Sequence, residues 1–185
     1  MEVYKRIIEI VDANLIYCLI PIILTLILVK LIFKNRFETK KALNLLRWII
    51  IFYTIASIIY YLIGITFFAE KFTFINRATG PYKLAYWLML FSSTILPFTL
   101  LINKLSKRYL YVLFVAFCMK IGMFFERFTI IVTSMHRDYP LVDKNSVWLE
   151  PLSFGLTMAF LQGLIIGILI LGFFEVLKRK KTHNK

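Results

Sequence analysis

Five long apolar runs, separated by short charged segments, constrain the fold of this chain more than any other feature of its sequence. A helix needs about 20 mainly apolar residues to cross the hydrocarbon core of a bilayer, and each run has about that length. The runs are too long for strands and do not alternate apolar with polar residues, so they predict helices. The predicted membrane-spanning helices are Ala13–Phe33, Leu46–Ala69, Leu84–Ile102, Tyr109–Ser134 and Leu152–Phe174.

The connections between these runs are too short to contain a soluble domain. We therefore expect one membrane domain over residues 1–185, which is an all-α polytopic protein in contact with the lipid bilayer. Its predicted architecture is about five transmembrane helices, arranged as a four-helix bundle plus one flanking helix. The hydrophobic content of 60% agrees with this class and excludes a disordered chain.

The net charge of +13 would suit a nucleic-acid-binding protein, but the basic residues follow the predicted membrane topology instead. No aromatic–basic motif lies in a soluble segment, so we expect no nucleic-acid partner. Fourteen Lys and Arg residues lie in or beside the first loop, the third loop and the tail, against seven in the N-terminal segment and the other two loops. The positive-inside rule then predicts that the N-terminus is outside and the C-terminus is cytoplasmic.

The first and fifth helices carry packing signals rather than chemistry. The first has few polar residues, which favours a lipid-facing position, and Pro21 is expected to kink it. Cys18 and Cys118 each lie in an apolar run and are expected to be buried packing residues. Small residues recur every four positions in the fifth helix and predict close approach of another helix, either in this chain or in another subunit. They are Gly155, Ala159, Gly163 and Gly167.

The second helix has a more polar face, which is typical either of hydrogen-bonded helix packing or of a ligand-lining surface. Its members are Tyr53, Ser57, Tyr60, Tyr61 and Gly64. The residues alone leave both interpretations open.

The fourth helix is the exception, because Lys120, Glu126 and Arg127 all fall inside its predicted span. A charge near the bilayer centre costs about 2.5–3.5 kcal/mol on insertion scales. On a helical wheel Lys120 and Arg127 fall on nearly one stripe, seven residues apart, and Glu126 lies about 100° from Arg127. These charges therefore need partners from other helices, from water or from a ligand. Two interpretations follow, a buried ion-pair network or a quinone or proton site.

Just beyond this helix, His136 stands beside Arg137 and Asp138 at the predicted outer surface. An imidazole titrates near physiological pH, and a neighbouring carboxylate can orient it. Such a pair is suited to accept a proton from a quinol hydroxyl. A polar cluster that orders the loop at a helix end is the equal alternative.

Two stretches resemble a known family. Gly122–Tyr139 resembles the G-M-W-x-E-R-F…S-L-H-R-D segment of polysulfide reductase-type (NrfD-like) integral membrane subunits. Phe74–Tyr82 with Ala85–Met89 is similar to the N-R-x-x-G-P-Y…A-Y-W-x-M stretch of the same family. The resemblance is strongest over Glu70–Tyr139 and is best to the second half of the larger NrfD-like subunits of alternative complex III.

The resemblance implies a membrane subunit of a quinone-linked respiratory oxidoreductase in the bacterial cytoplasmic (inner) membrane. Family members have two four-helix bundles, bind quinol near the outer face beside an iron–sulfur subunit, and are candidates for a proton route. The chain would therefore contribute to a quinol site, a proton route or the docking of an iron–sulfur subunit, with cytochrome subunits as further partners. It corresponds to the second bundle only, so it would act as a non-autonomous subunit.

The resemblance and the charge pattern together select six candidate site residues. Glu126, His136 and Asp138 are candidate proton acceptors, and Arg77, Arg127 and Arg137 are candidate quinol-site or network residues. No metal site and no haem or iron–sulfur ligand set is expected in this chain, so electrons would pass to a cofactor in another subunit. A non-catalytic structural or assembly subunit derived from half of an NrfD-like protein, and a small transporter or proton channel, are the alternative functions.

Overall fold

A computed structural model of the chain describes residues 2–34, 36–67, 78–80, 83–121 and 149–183. Within these ranges the protein is all-α, with no strand. The helices are α1 (Glu2–Val11), α2 (Leu19–Phe33), α3 (Thr39–Phe67), α4 (Lys83–Thr94), α5 (Asn103–Ser106), α6 (Tyr109–Met119) and α7 (Leu149–His183). A π-helical segment, Asp12–Ile16, joins α1 to α2, and a 3₁₀ helix, Leu96–Leu101, follows α4.

Four helical stretches in the described part of the chain are long and apolar enough to cross a membrane. They are Arg6–Phe33, Thr39–Phe67, Lys83–Leu101 and Thr157–Lys180. Helix α6 is a shorter apolar helix, and the rest of the predicted span Tyr109–Ser134 lies outside the described residues. The protein is therefore a multi-pass, all-α membrane protein, as the apolar runs predict.

Two of the observed helices extend beyond their apolar runs. Helix α3 begins at Thr39 instead of Leu46, and α7 covers Leu149–His183 instead of Leu152–Phe174. An apolar run marks only the part of a helix that matches the hydrocarbon core, whereas the helix itself continues into the polar interface. The third predicted helix is α-helical only to Thr94, because Pro97 lacks a backbone N–H and lies in the 3₁₀ helix that follows.

Helix α2 forms the centre of the bundle. Its side chains Leu19, Ile22, Ile23 and Leu26 are completely buried, as is Cys18 just before it, and α2 packs against α3, α6 and α7. The opposite face of α2 is exposed at Leu24, Leu28 and Ile32, so the lipid-facing interpretation of the first helix holds for only part of it. Lipid tails are as apolar as a protein core, so a scarcity of polar residues does not distinguish the two environments.

The small residues of α7 pack against α2 of the same chain. A Cβ atom added to Gly163 would lie 2.5 Å from Pro21 Cγ and 2.9 Å from the Cys18 carbonyl oxygen, and one added to Gly167 would lie 3.2 Å from Thr25 Cβ. The two helices run parallel, since both pairs advance in the same direction. Ala159 also packs on the core, whereas Gly155 has no atom within 4 Å of the added Cβ. Two of the four small residues thus make intramolecular close approaches.

Contacts around Tyr109 define one end of the bundle. Its hydroxyl donates to the Thr39 hydroxyl at 2.9 Å, and Lys30 Nζ lies 4.2 Å from the centre of its ring. These contacts bring the end of α2, the start of α3 and the start of α6 together, and the parallel packing of α7 on α2 adds the C-terminal end of α7. The segments that the charge count assigns to the cytoplasmic side therefore share one end of the molecule, which we call the basic end.

Candidate functional site

Lys120 follows α6 directly and forms an ion pair with Asp12, which begins the π-helical segment. Its ammonium donates to Asp12 Oδ1, and the exposed fractions of the two side chains are 11% for Lys120 and 25% for Asp12. The mostly buried Lys120 therefore has a partner from another helix, as expected for a charge in an apolar run. A protein tolerates a largely buried charge when the charge is paired and hydrogen-bonded.

Two tyrosines complete the site. The Tyr53 hydroxyl donates to the same oxygen, Asp12 Oδ1, at 2.6 Å, and the Tyr17 ring centre lies 4.1 Å from Lys120 Nζ. We call Asp12, Tyr17, Tyr53 and Lys120 the Asp12 cluster. Its carboxylate receives two donors on one oxygen, and its ammonium is held between that carboxylate and an aromatic face, which adds cation–π attraction.

Asp12 and Tyr53 lie on two of the helical stretches that are long and apolar enough to cross a membrane, and Lys120 follows the shorter apolar helix α6. Thr39 and Tyr109 mark a common level at the basic end. From there Tyr53 and Lys120 are fourteen and eleven residues further along their chains, which at 1.5 Å per residue corresponds to about 21 and 16 Å. The cluster therefore lies about 16–21 Å along α3 and α6 from the basic end.

The π-helical segment positions Asp12. The Tyr17 amide donates to the Asp12 carbonyl at 3.0 Å, so the turn spans five residues instead of four. The Gln162 side chain of α7 donates to the Asn14 carbonyl at 3.3 Å and to Asn14 Oδ1 at 3.2 Å. Helix α7 therefore satisfies a polar backbone group of the widened turn, as a membrane interior requires. Widened turns of this type occur frequently at functional sites.

The opposite end of the bundle is rich in tyrosine and tryptophan contacts. The Tyr4 hydroxyl donates to the Ala56 carbonyl at 3.0 Å, and its ring lies 5.9 Å from that of Tyr60. The hydroxyls of Tyr61 and Tyr86 are hydrogen-bonded to each other. The polar face of the second predicted helix thus divides into Tyr53, which joins the Asp12 cluster, and Tyr60 and Tyr61, which pack. Such aromatic contacts are typical of a membrane interface.

The Asp12 cluster offers proton chemistry and hydrogen bonding. A carboxylate, an ammonium and a phenol within hydrogen-bond distance can accept a proton, hold it and pass it on. The same groups can donate to or accept from a carbonyl or hydroxyl of a bound ligand. Among the described residues no group of three or more His, Cys, Asp and Glu could hold a metal ion. Cys18 and Cys118 are both free and buried, which confirms them as packing residues.

The candidate residues chosen from the sequence and the cluster seen in the structure are different sets. The six chosen residues all lie outside the described residues and stay predictions; they are Arg77, Glu126, Arg127, His136, Arg137 and Asp138. Sequence reasoning finds Lys120 but misses Asp12, because the first apolar run begins one residue after it. The pair could have been suspected from the sequence, because a single carboxylate stands at one end of an apolar run and a single lysine stands inside another.

Comparison with known proteins adds no identification: no family model, no curated protein and no solved structure matches the chain.

Proposed function

We propose that this chain is a membrane subunit of a quinone-linked respiratory oxidoreductase of the bacterial cytoplasmic membrane, and that the Asp12 cluster transfers protons linked to quinol oxidation. The resemblance to NrfD-like subunits supports the quinone-linked class. The observation that carries the proton role is the ion pair of Asp12 with Lys120 inside the span. The subunit is non-autonomous, and electrons pass to iron–sulfur and cytochrome partners.

The energetics of the pair support a function beyond packing. Replacing a buried ion pair with apolar residues of similar volume is often neutral or stabilising. Ionisable groups in a membrane interior are therefore retained mainly where they serve ion or substrate pathways. The Tyr53 phenol adds a second proton-bearing group on Asp12 Oδ1.

The order of charged residues along the chain suggests a route. Glu126 and Arg127 follow Lys120 by six and seven residues, and His136 and Asp138 come after them. We propose that His136 or Asp138 accepts the quinol proton, that Glu126 continues the route, and that the Asp12 cluster forms its inner part. Arg77, Arg127 and Arg137 would stabilise the ionised carboxylates by opposite charge.

The proposal is tested on the native complex, purified in mild detergent with this chain as the affinity handle. We expect iron–sulfur and haem-containing subunits to co-purify, and quinol oxidation to fall at least tenfold in the Asp12→Leu/Lys120→Met double variant. Lys40→Met is the matched control, because Lys40 is exposed in the first turn of α3 at the basic end. Full turnover in an assembled double variant would refute the proton role.

A structural or assembly subunit is the second candidate, and the completeness of the Asp12–Lys120 pairing favours it. It predicts that single substitutions reduce the amount of assembled complex, whereas the apolar double variant restores both assembly and turnover. The proton role predicts restored assembly without restored turnover. A small transporter or proton channel is the third candidate, and it predicts ion flux from the purified chain alone in liposomes.

A further inference from the structure

The basic end carries a concentration of positive charge that the proposed function does not use. In the described ranges as far as Lys180, twelve basic residues lie there against two acidic ones, Glu38 and Glu175. Both acidic side chains are paired with a basic residue close by in the sequence: Glu38 Oε1 lies 3.3 Å from Lys41 Nζ, and Glu175 Oε1 lies 3.8 Å from Arg179 Nε. The basic residues are Lys30, Lys34, Arg36, Lys40, Lys41, Arg47, Lys104, Lys107, Arg108, Lys178, Arg179 and Lys180.

One part of this end is held in a defined geometry by Arg47. Its guanidinium donates to Asn103 Oδ1 at 3.1 Å and to the Leu101 carbonyl at 3.2 Å. These bonds join the first turns of α3 to the short segment that carries Lys104 and Lys107. Both lysines are exposed, and the Arg47 bonds hold their segment beside α3, so cations from the two segments lie near one another. Because hydrogen bonds hold the backbone that carries them, their spacing is set by the fold.

Exposed apolar and aromatic side chains adjoin these cations. Trp48 is 41% exposed, and its ring centre lies 5.4 Å from the Arg47 guanidinium carbon. Phe52, one helical turn nearer the bilayer centre, is 63% exposed and stacks on Trp48 with ring centres 5.7 Å apart. Ile102, beside the Arg47 contacts, is 54% exposed. The surface is therefore cationic at the headgroup level and apolar at the acyl-chain level.

We propose that this surface binds an anionic phospholipid, with its phosphate and headgroup on the cations and an acyl chain along the aromatic pair. We call it the α3–α5 surface, and it comprises Arg47, Trp48, Phe52, Ile102, Lys104 and Lys107. The amphiphilic layout selects a lipid over an acidic soluble protein, which would not use apolar side chains inside the hydrocarbon layer. The cations select an anionic lipid over a zwitterionic one.

The test compares spin-labelled phosphatidylglycerol with spin-labelled phosphatidylcholine on the full chain reconstituted in bilayers. Electron paramagnetic resonance reports the fraction of each lipid that the protein immobilises. A basic residue near an anionic surface contributes about a fivefold preference. We therefore expect the wild-type chain to immobilise more phosphatidylglycerol than phosphatidylcholine. In the variant Lys104→Gln/Lys107→Gln, this preference should fall about fivefold for each cation that is lost from the headgroup site. The matched variant Lys34→Gln/Arg36→Gln, on the turn between α2 and α3, should keep it.

Each other outcome overturns the proposal. Equal immobilisation of the two lipids by the wild-type chain would show that the surface has no anionic-lipid site. Equal reductions in the two double variants would show a diffuse field over the whole basic end. Competition by soluble glycerol 1-phosphate would show a site for a free phosphate ester. If the first variant fails to fold, the wild-type preference must disappear in about 1 M salt, because screening at that concentration acts within about 3 Å; a preference that persists is not electrostatic.

Discussion

Breaking the Asp12–Lys120 pair from one side should cost much more stability than removing both charges. In Lys120→Met, Asp12 keeps the 2.6 Å bond from Tyr53 but loses its cationic partner. Removing one partner of a buried pair costs about 3–5 kcal/mol in general. Asp12 is 25% exposed and retains one donor, so we expect a somewhat smaller cost, about 2–4 kcal/mol.

The double variant Asp12→Leu/Lys120→Met leaves no charge to desolvate. We expect it to lie within about 1 kcal/mol of wild type, since apolar replacement of a buried pair is often neutral or stabilising. The sum of the two single-variant losses in the free energy of unfolding should therefore exceed the loss in the double variant by at least about 2 kcal/mol. Residues in direct contact commonly show couplings of this size.

The assay is reversible unfolding of the purified chain in mixed micelles, followed by circular dichroism as the fraction of denaturing detergent rises. The midpoint and slope provide the free energy of unfolding for wild type, both single variants and the double variant. Additivity within about 0.5 kcal/mol would refute the reasoning, because it would mean that the two side chains do not share one energetic interaction.

Three further substitutions test neighbouring contacts by the same unfolding assay. Tyr53→Phe removes one donor from the Asp12 carboxylate and should cost about 1.5–3 kcal/mol; an unchanged free energy of unfolding would mean that the bond is not formed. Gly163→Ala should destabilise by about 1–3 kcal/mol because its Cβ would meet Pro21 and the Cys18 carbonyl, whereas Gly172→Ala, with nothing within 4 Å, should not; similar effects would contradict the parallel packing of α7 on α2. Tyr109→Phe should cost about 1 kcal/mol by removing the bond to Thr39, and a destabilisation of several kcal/mol would indicate a different role for this hydroxyl.

The helical, multi-pass fold could be predicted from the sequence because bilayer thickness dictates the length of an apolar run. The ends of the helices could not, since polar residues such as Thr39 and Lys40 continue a helix into the interface without a change of geometry. The break after Thr94 was accessible, because Pro97 removes a backbone donor wherever it stands.

The positions of helices relative to one another were beyond the sequence alone. Apolar side chains suit both lipid and protein neighbours, so the central place of α2 required the fold. The same holds for Gly163, whose spacing predicts a close neighbour but not that the neighbour is Pro21 of the same chain. The role of Asp12 could not be predicted, because a carboxylate next to an apolar run is also typical of a helix end at the membrane surface. Only the fold shows that Lys120 lies beside it.

The measurement that tests the proton role most directly is quinol oxidation by the assembled native complex with the Asp12→Leu/Lys120→Met subunit. We expect the complex to assemble with iron–sulfur and haem partners and to oxidise quinol at no more than about one tenth of the wild-type rate. A chain that purifies without such partners, or an assembled double variant with wild-type turnover, would contradict the proposed function.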